Sequence, residues 1–158
     1  MSDLPCEIDD VIIRQLKRHT DHRGWLAELF RNDEIPENLH PLMAYLSITK
    51  PGISRGPHEH KKQTDIIYFL GDVEFELFLW DNRPDSNCLK RHIKYKIEAD
   101  IITMIRIPPG VVHGYKNIGN SDGIIINCPN QLYGGIGREE SVDEIRHEDS
   151  KSSSFRIP

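Results

Sequence analysis

An all-β barrel or sandwich is the fold this sequence predicts, on three observations. Short apolar runs recur with a period of two, Gly, Pro, Asn and Asp punctuate them, and no stretch carries a long helical period. The clearest run follows Gly71. There Val73, Phe75, Leu77 and Leu79 share one parity and Glu74 and Glu76 the other, as in a strand with one buried face.

Taken in order, the residues from Val11 read as extended and half buried, and Asp21-His-Arg-Gly24 turns the chain into a second strand over 25–31. Asn32 to His40 is polar and contains Pro36, which suits a loop with a turn of helix. Leu42 to Thr49 is strand-like until Pro51-Gly52 stops it. Asp81 to Asn87 is a turn cluster. Beyond it Ile93, Tyr95 and Ile97 point inward between outward lysines, and 101–107 and 123–127 supply two more strands. From Gly137 the chain becomes charged and serine-rich, a surface segment with at most one helical turn around Val142 to Arg146.

With 158 residues the chain has room for one domain and little more. Lys and Arg number 20 against 25 Asp and Glu, a formal charge of -5, which argues against a general nucleic-acid surface while leaving a local basic pocket open. No apolar run reaches bilayer length and the start does not read as a secretory signal, so the expected location is the cytoplasm and no membrane partner is expected. Cys6, Cys88 and Cys128 form no C-x-x-C pair and read as reduced, structural thiols, with Cys128 the one expected to be buried.

The chemistry concentrates in two stretches. In Gly52 to Gly71, His58 and His60 sit two apart, so on an extended segment both rings leave one face, with Arg55 before them and Lys61 and Lys62 after. In Pro108-Pro-Gly110-Val-Val-His113-Gly-Tyr-Lys-Asn117, a Pro-Gly turn returns a third histidine on a new strand. These two stretches resemble the signature motifs of the cupin superfamily, the second matching at Pro108, Gly110, His113 and Asn117. The resemblance implies a cupin double-stranded β-helix (jelly-roll barrel) with little helix, and one pocket holding His58, His60 and His113. It implies a single domain over 1–158 with its core at about 42–130 and a charged C-terminal segment over 137–158.

Within the cupins, the collinear series Asp21-x-Arg23-Gly24-x-x-x-Glu28-x-Phe30, Arg55-Gly56-x-His58 and Ile107-Pro108-x-Gly110-x-x-His113-Gly114 resembles the dTDP-4-dehydrorhamnose 3,5-epimerase family. That resemblance implies a metal-free enzyme acting on a dTDP-linked 4-keto-6-deoxyhexose in deoxysugar or polysaccharide biosynthesis. It implies a homodimer in which the N-terminal strands, 11–31, are exchanged. Arg23 and Glu28 would then contact the nucleotide and Arg55 the diphosphate, and His58 would be the base. His113 is expected to line the substrate, as is His60, which stands where the family usually has glutamine.

At the family's proton-donating tyrosine this chain reads Ile126, with Tyr133 the nearest tyrosine beyond it and Tyr115 beside His113. Thr64 stands at the family's lysine, with Lys61 and Lys62 as replacements. Asp149 lies near the position of the carboxylate that orients the base. The catalytic set expected is therefore His58, Tyr133 and Asp149. Two other readings stay open: a metal-dependent cupin enzyme with a divalent ion on His58, His60 and His113, and a barrel that binds a nucleotide sugar without turning it over. For the metal reading Asp65 falls one residue from the expected carboxylate, and unbroken strand alternation would turn it away from the histidines.

Overall fold

The computed structural model describes residues 3, 4 and 6–158. Its strands, in chain order, are β1 (Asp3–Leu4), β2 (Ile12–Gln15), β3 (His19–Asp21), β4 (Gly24–Leu26), β5 (Tyr45–Thr49), β6 (Ser54–Glu59) and β7 (Asp65–Phe69). They continue with β8 (Phe75–Asp81), β9 (His92–Ile97), β10 (Thr103–Ile107), β11 (Val111–Asn117), β12 (Gly123–Asn127) and β13 (Ile145–Arg146). Helix among the described residues is confined to three single 3-10 turns, Asn32–Glu34, Glu37–Leu39 and Ile136–Arg138.

Two antiparallel sheets, ordered β1-β2-β10-β7-β12-β5 and β13-β6-β11-β8-β9, make the barrel, and β3 and β4 form a separate hairpin. Period-2 alternation explains the core. Ile67 and Phe69 of β7, Ile105 and Ile107 of β10 and Ile125 of β12 meet Phe75, Leu77 and Leu79 of β8 and Val111 and Tyr115 of β11 in one buried cluster. Ile97 is buried with them, and Ile93 and Tyr95 pack partly against the same cluster. Cys88 and Cys128 are buried, and all three cysteines are free thiols.

Four local readings are corrected. The strand expected over 25–31 ends at Leu26, and Ala27 and Leu29 instead pack as irregular chain on the outer cluster of Leu16, Ile66, Tyr68, Ile102 and Cys128. β5 begins at Tyr45 rather than Leu42. Asp81 ends β8 instead of opening a turn. Its buried carboxylate accepts bonds from Arg83 Nη2 (2.7 Å), Ser86 Oγ (2.7 Å) and the Arg83 amide (3.0 Å). Burial pushes its pKa up, and these donors outweigh that and hold it below the ordinary value.

The fourth correction concerns the C-terminal segment. Val142 to Arg146 holds no helical turn, because Ile145 and Arg146 pair with Glu59 and His58 and give the outer side of β6 a ladder partner. Further on, Phe155 and Ile157 pack on Phe78, Trp80 and Val112, so β8 is covered on both faces. A segment read as solvated surface is thus part of the wall behind the histidine strand.

Candidate active site

β6 and β11 are paired so that His58 lies opposite His113, with a register shift between His113 and Tyr115. Gly56 permits the close approach. Its φ is +79°, and a Cβ there would stand 2.7 Å from the His113 carbonyl oxygen and 3.1 Å from His58 Nδ1. The rings converge, with centroids 4.4 Å apart for His58 and His113, 5.6 Å for His58 and His60, and 6.1 Å for His60 and His113. His113 is fully enclosed and His60 nearly so.

The fourth member is Asp65, which sequence reasoning turned outward. Asp65 opens β7 in the other sheet, and the loop 61–64 resets the alternation on the way there. On β7 it shares parity with Ile67 and Phe69, both core residues, and so points inward. Its Oδ2 lies 3.2 Å from His60 Nε2 and 3.2 Å from His113 Nε2, at ion-pair distance. One donor atom from each of His58, His60, Asp65 and His113 lies within 4.8 Å of all the others.

Two backbone carbonyls fix the ring orientations. His113 Nδ1 donates to the Val111 oxygen (3.0 Å) and His60 Nδ1 to the Asp143 oxygen. The Asp143 carboxylate meanwhile accepts the amides of Lys61 (3.1 Å), Lys62 (2.8 Å) and Gln63 (2.9 Å), clamping the loop that joins the two sheets. On the far side of Asp65, Asn127 Nδ2 donates to Oδ1 (3.0 Å) and also to the Tyr45 hydroxyl (2.8 Å). Gln63 Nε2 donates to the same Oδ1 (2.8 Å).

Charge is distributed unevenly. Burial, reinforced by His113, depresses His58 to about 2, so this ring is neutral at any working pH. Burial also opposes charge on His60, but the Asp65 carboxylate outweighs it and raises the pKa. Asp65 itself is pushed up by burial and pulled further down by His113 and His60, ending well below the ordinary carboxylate value. Burial, with the nearby Asp65 charge, raises Tyr45 to about 12 and keeps its hydroxyl protonated.

The other expected residues lie outside this cluster. Arg55 starts in the same strand as His58 but donates to Thr49 Oγ1 (3.0 Å) and the Ile48 carbonyl (2.7 Å). Arg23 pairs with Asp21 on the exposed hairpin, and Glu28, also exposed, faces Arg31. Tyr133 is 55% exposed, with its amide against Met43 Sδ. Asp149, Lys61 and Lys62 are exposed, and Ile126 packs against the outer cluster, on the opposite face of β12 from Asn127. Asp65, Asn127 and Tyr45 were missed as site residues. The parity of Asp65 with Ile67 and Phe69 was the signal available for the first.

Comparison with known proteins agrees with this architecture. The family model described as dTDP-4-dehydrorhamnose 3,5-epimerase matches residues 5–151. A probable low-salt glycan biosynthesis epimerase, Agl13, of Haloferax volcanii is 33% identical over 126 residues, covering 80% of this chain and 81% of the relative. The spore coat polysaccharide biosynthesis protein SpsL of Bacillus subtilis is 36% identical over 128 residues, covering 80% and 82%. Among solved structures, the dTDP-4-dehydrorhamnose 3,5-epimerase of Elizabethkingia anophelis superposes with a TM-score of 0.76 at 18% identity, over 100% of this chain and 87% of that one. The corresponding enzyme of Sulfolobus tokodaii gives 0.73 at 22% identity, over 92% and 82%. These superpositions show the jelly-roll fold, and the family match over nearly the whole sequence shows the lineage: the chain belongs to the dTDP-4-dehydrorhamnose 3,5-epimerase family.

Proposed function

We propose that this sugar epimerase acts on a dTDP-linked 4-keto-6-deoxyhexose, at C3, C5 or both, in cytoplasmic polysaccharide or deoxysugar biosynthesis. The observation that carries the reading is the neutral, half-buried His58 ring facing His113 and the Asp65 carboxylate, inside a barrel of this family. The C4 carbonyl acidifies the protons at C3 and C5. The base removes one, the C–H electron pair moves into the C=C bond of an enolate, and a proton delivered from the opposite face inverts the centre.

His58 is assigned as the base. It is in the accepting form, and the Asp65 charge favours the imidazolium that forms beside the enolate. For the acid, the network favours Tyr45 over Tyr133, because Asn127 ties the protonated Tyr45 hydroxyl to the cluster. Asp65, rather than the exposed Asp149, is the carboxylate next to the histidines. Arg55 is assigned to the diphosphate, its fork exchanging the Ile48 and Thr49 oxygens for phosphate oxygens.

The test is proton NMR of the purified protein in D2O with a dTDP-4-keto-6-deoxyhexose. Loss of the H3 or H5 signal faster than in buffer is expected, and no loss of either would refute the reading.

A homodimer belongs to the same proposal. Trp25 (52% exposed) and Leu26 (62%) lie on the β3–β4 hairpin, and Leu46 (61%) and Ile48 (49%) on β5, an unpaired sheet edge. Such edges and apolar patches call for cover. A second copy would supply it and bring a partner's Arg23 and Glu28 toward the bound nucleotide. Light scattering should give the mass of two chains, and a one-chain mass would remove this arrangement.

A further inference from the structure

We propose that Asp143 is a positioning residue of this site: from the C-terminal segment it sets the path of the loop that places His60 and Asp65. Loop 61–64 runs from His60, just past the end of β6, to Asp65, the first residue of β7 in the other sheet. All four of its amides donate to side chains from elsewhere in the chain. Those of Lys61, Lys62 and Gln63 reach the Asp143 carboxylate at 3.1, 2.8 and 2.9 Å, and that of Thr64 reaches Asn130 Oδ1 at 2.7 Å. Three consecutive N–H groups converging on one anion make a backbone nest, and here the anion belongs to the protein itself.

Asp143 can act as a template because its own position is fixed. Just beyond it Ile145 and Arg146 pair with Glu59 and His58, and the His147 amide donates to the Pro57 carbonyl at 2.9 Å. His147 Nε2 lies 2.9 Å from Glu59 Oε1, which also accepts from Asn82 Nδ2 at 2.9 Å. The segment is thus tied along the outside of the strand that carries His58.

Both ends of Asp143 bear on the cluster. Its carbonyl accepts from His60 Nδ1 and orients that ring. Its carboxylate holds the Gln63 backbone, and the Gln63 side chain in turn places Nε2 2.8 Å from Asp65 Oδ1 and 3.1 Å from His60 Nε2. Asp65 Oδ2 then stands 3.2 Å from both His60 Nε2 and His113 Nε2. Without the carboxylate the three amides turn to water, and the loop loses what holds those distances. This deepens the epimerase reading, on which its chemistry rests. The Asp65 charge favours the His58 imidazolium only at short range, and a misplacement of about 1 Å in a reacting constellation costs on the order of 10²-fold.

The test is Asp143→Ala, with Asp143→Asn as a second variant that keeps one amide-accepting oxygen, and Phe75→Ala as a core deletion away from the loop. With a dTDP-4-keto-6-deoxyhexose in D2O, Asp143→Ala is expected to lower kcat for loss of the H3 or H5 signal by about 10–100-fold at unchanged KM, and Asp143→Asn by less. A second readout needs no sugar. In NMR of histidine-labelled protein, the His60 Nδ1 proton, assigned with His60→Gln, should exchange with water faster in Asp143→Ala than in wild type. Circular dichroism checks folding, and should Asp143→Ala not fold, Asp143→Asn carries both comparisons. A folded variant with wild-type kcat overturns the proposal, as does a ring proton that exchanges as slowly as in wild type. An equal loss of kcat per folded molecule in Phe75→Ala overturns it too, since the effect would then be one of general stability. The two readings fail separately. Wild type that exchanges neither H3 nor H5 removes the substrate reading, and the ring proton then decides the role of Asp143.

Discussion

Replacing His58 with asparagine is expected to slow loss of the H3 or H5 signal by about 10²–10⁴-fold, the usual contribution of a positioned acid or base. The affinity for dTDP should be unchanged, because the nucleotide and its diphosphate are assigned to Arg23, Glu28 and Arg55, outside the histidine cluster. The environment of the ring makes the assignment specific. A base on the surface would titrate near its ordinary value and lose activity as pH fell through 6.5. Burial and His113 hold His58 far below that, at about 2, so its basic form persists and no acid limb from this ring should appear between pH 8 and 6. The depressed value also means that protonation is uphill until negative charge develops on the sugar. His58 therefore depends on the enolate and on Asp65 for its function as a base, and losing it cannot be offset by raising pH. A folded His58→Asn protein with wild-type exchange would reassign the base.

Most of the barrel was legible because strand parity is a local property. The run from Val73 to Leu79 exposes its buried face in its own spelling, as does the spacing of Ile93, Tyr95 and Ile97, and two histidines two apart must share a face of an extended segment. What failed to show was whatever depends on a change of sheet. Asp65 was placed by counting onward from His60 as though the strand continued, but residues 61–64 carry the chain across the barrel and begin a new alternation. Ile126 was weighed as the occupant of a catalytic position, yet its neighbour Asn127 faces the cluster and Ile126 faces away. The C-terminal segment hid its role for another reason. Phe155 and Ile157 are isolated apolar residues in a charged, serine-rich stretch, and their partners Phe78 and Trp80 lie on the β8 face that Glu74 and Glu76 mark as polar.

Phe75→Ala is expected to cost about 3–5 kcal/mol of stability, the range for deleting a fully enclosed phenylalanine. At roughly 2–4 °C per kcal/mol for a chain of this size, that lowers the thermal midpoint by about 6–20 °C. The ring is 0% exposed and sits edge-on to Phe69 and Tyr115, with centroids at 5.0 and 5.8 Å. Those aromatic contacts add to the area term. Its flank is closed by Gly123, where even a Cβ would come within 2.3 Å of Phe75 Cζ, so backbone rather than a mobile side chain bounds the space. Backbone cannot collapse into the void, which places the cost toward the upper part of the range. Phe75 pairs with Asn117, four residues along β11 from His113, or roughly 14 Å at strand spacing. Hydrogen exchange per folded molecule should therefore match wild type at low temperature, separating loss of the core from loss of the site. An unfolding free energy within about 1 kcal/mol of wild type by denaturant titration would mean that the two sheets relax around the cavity, contrary to the rigid boundary that Gly123 places on it.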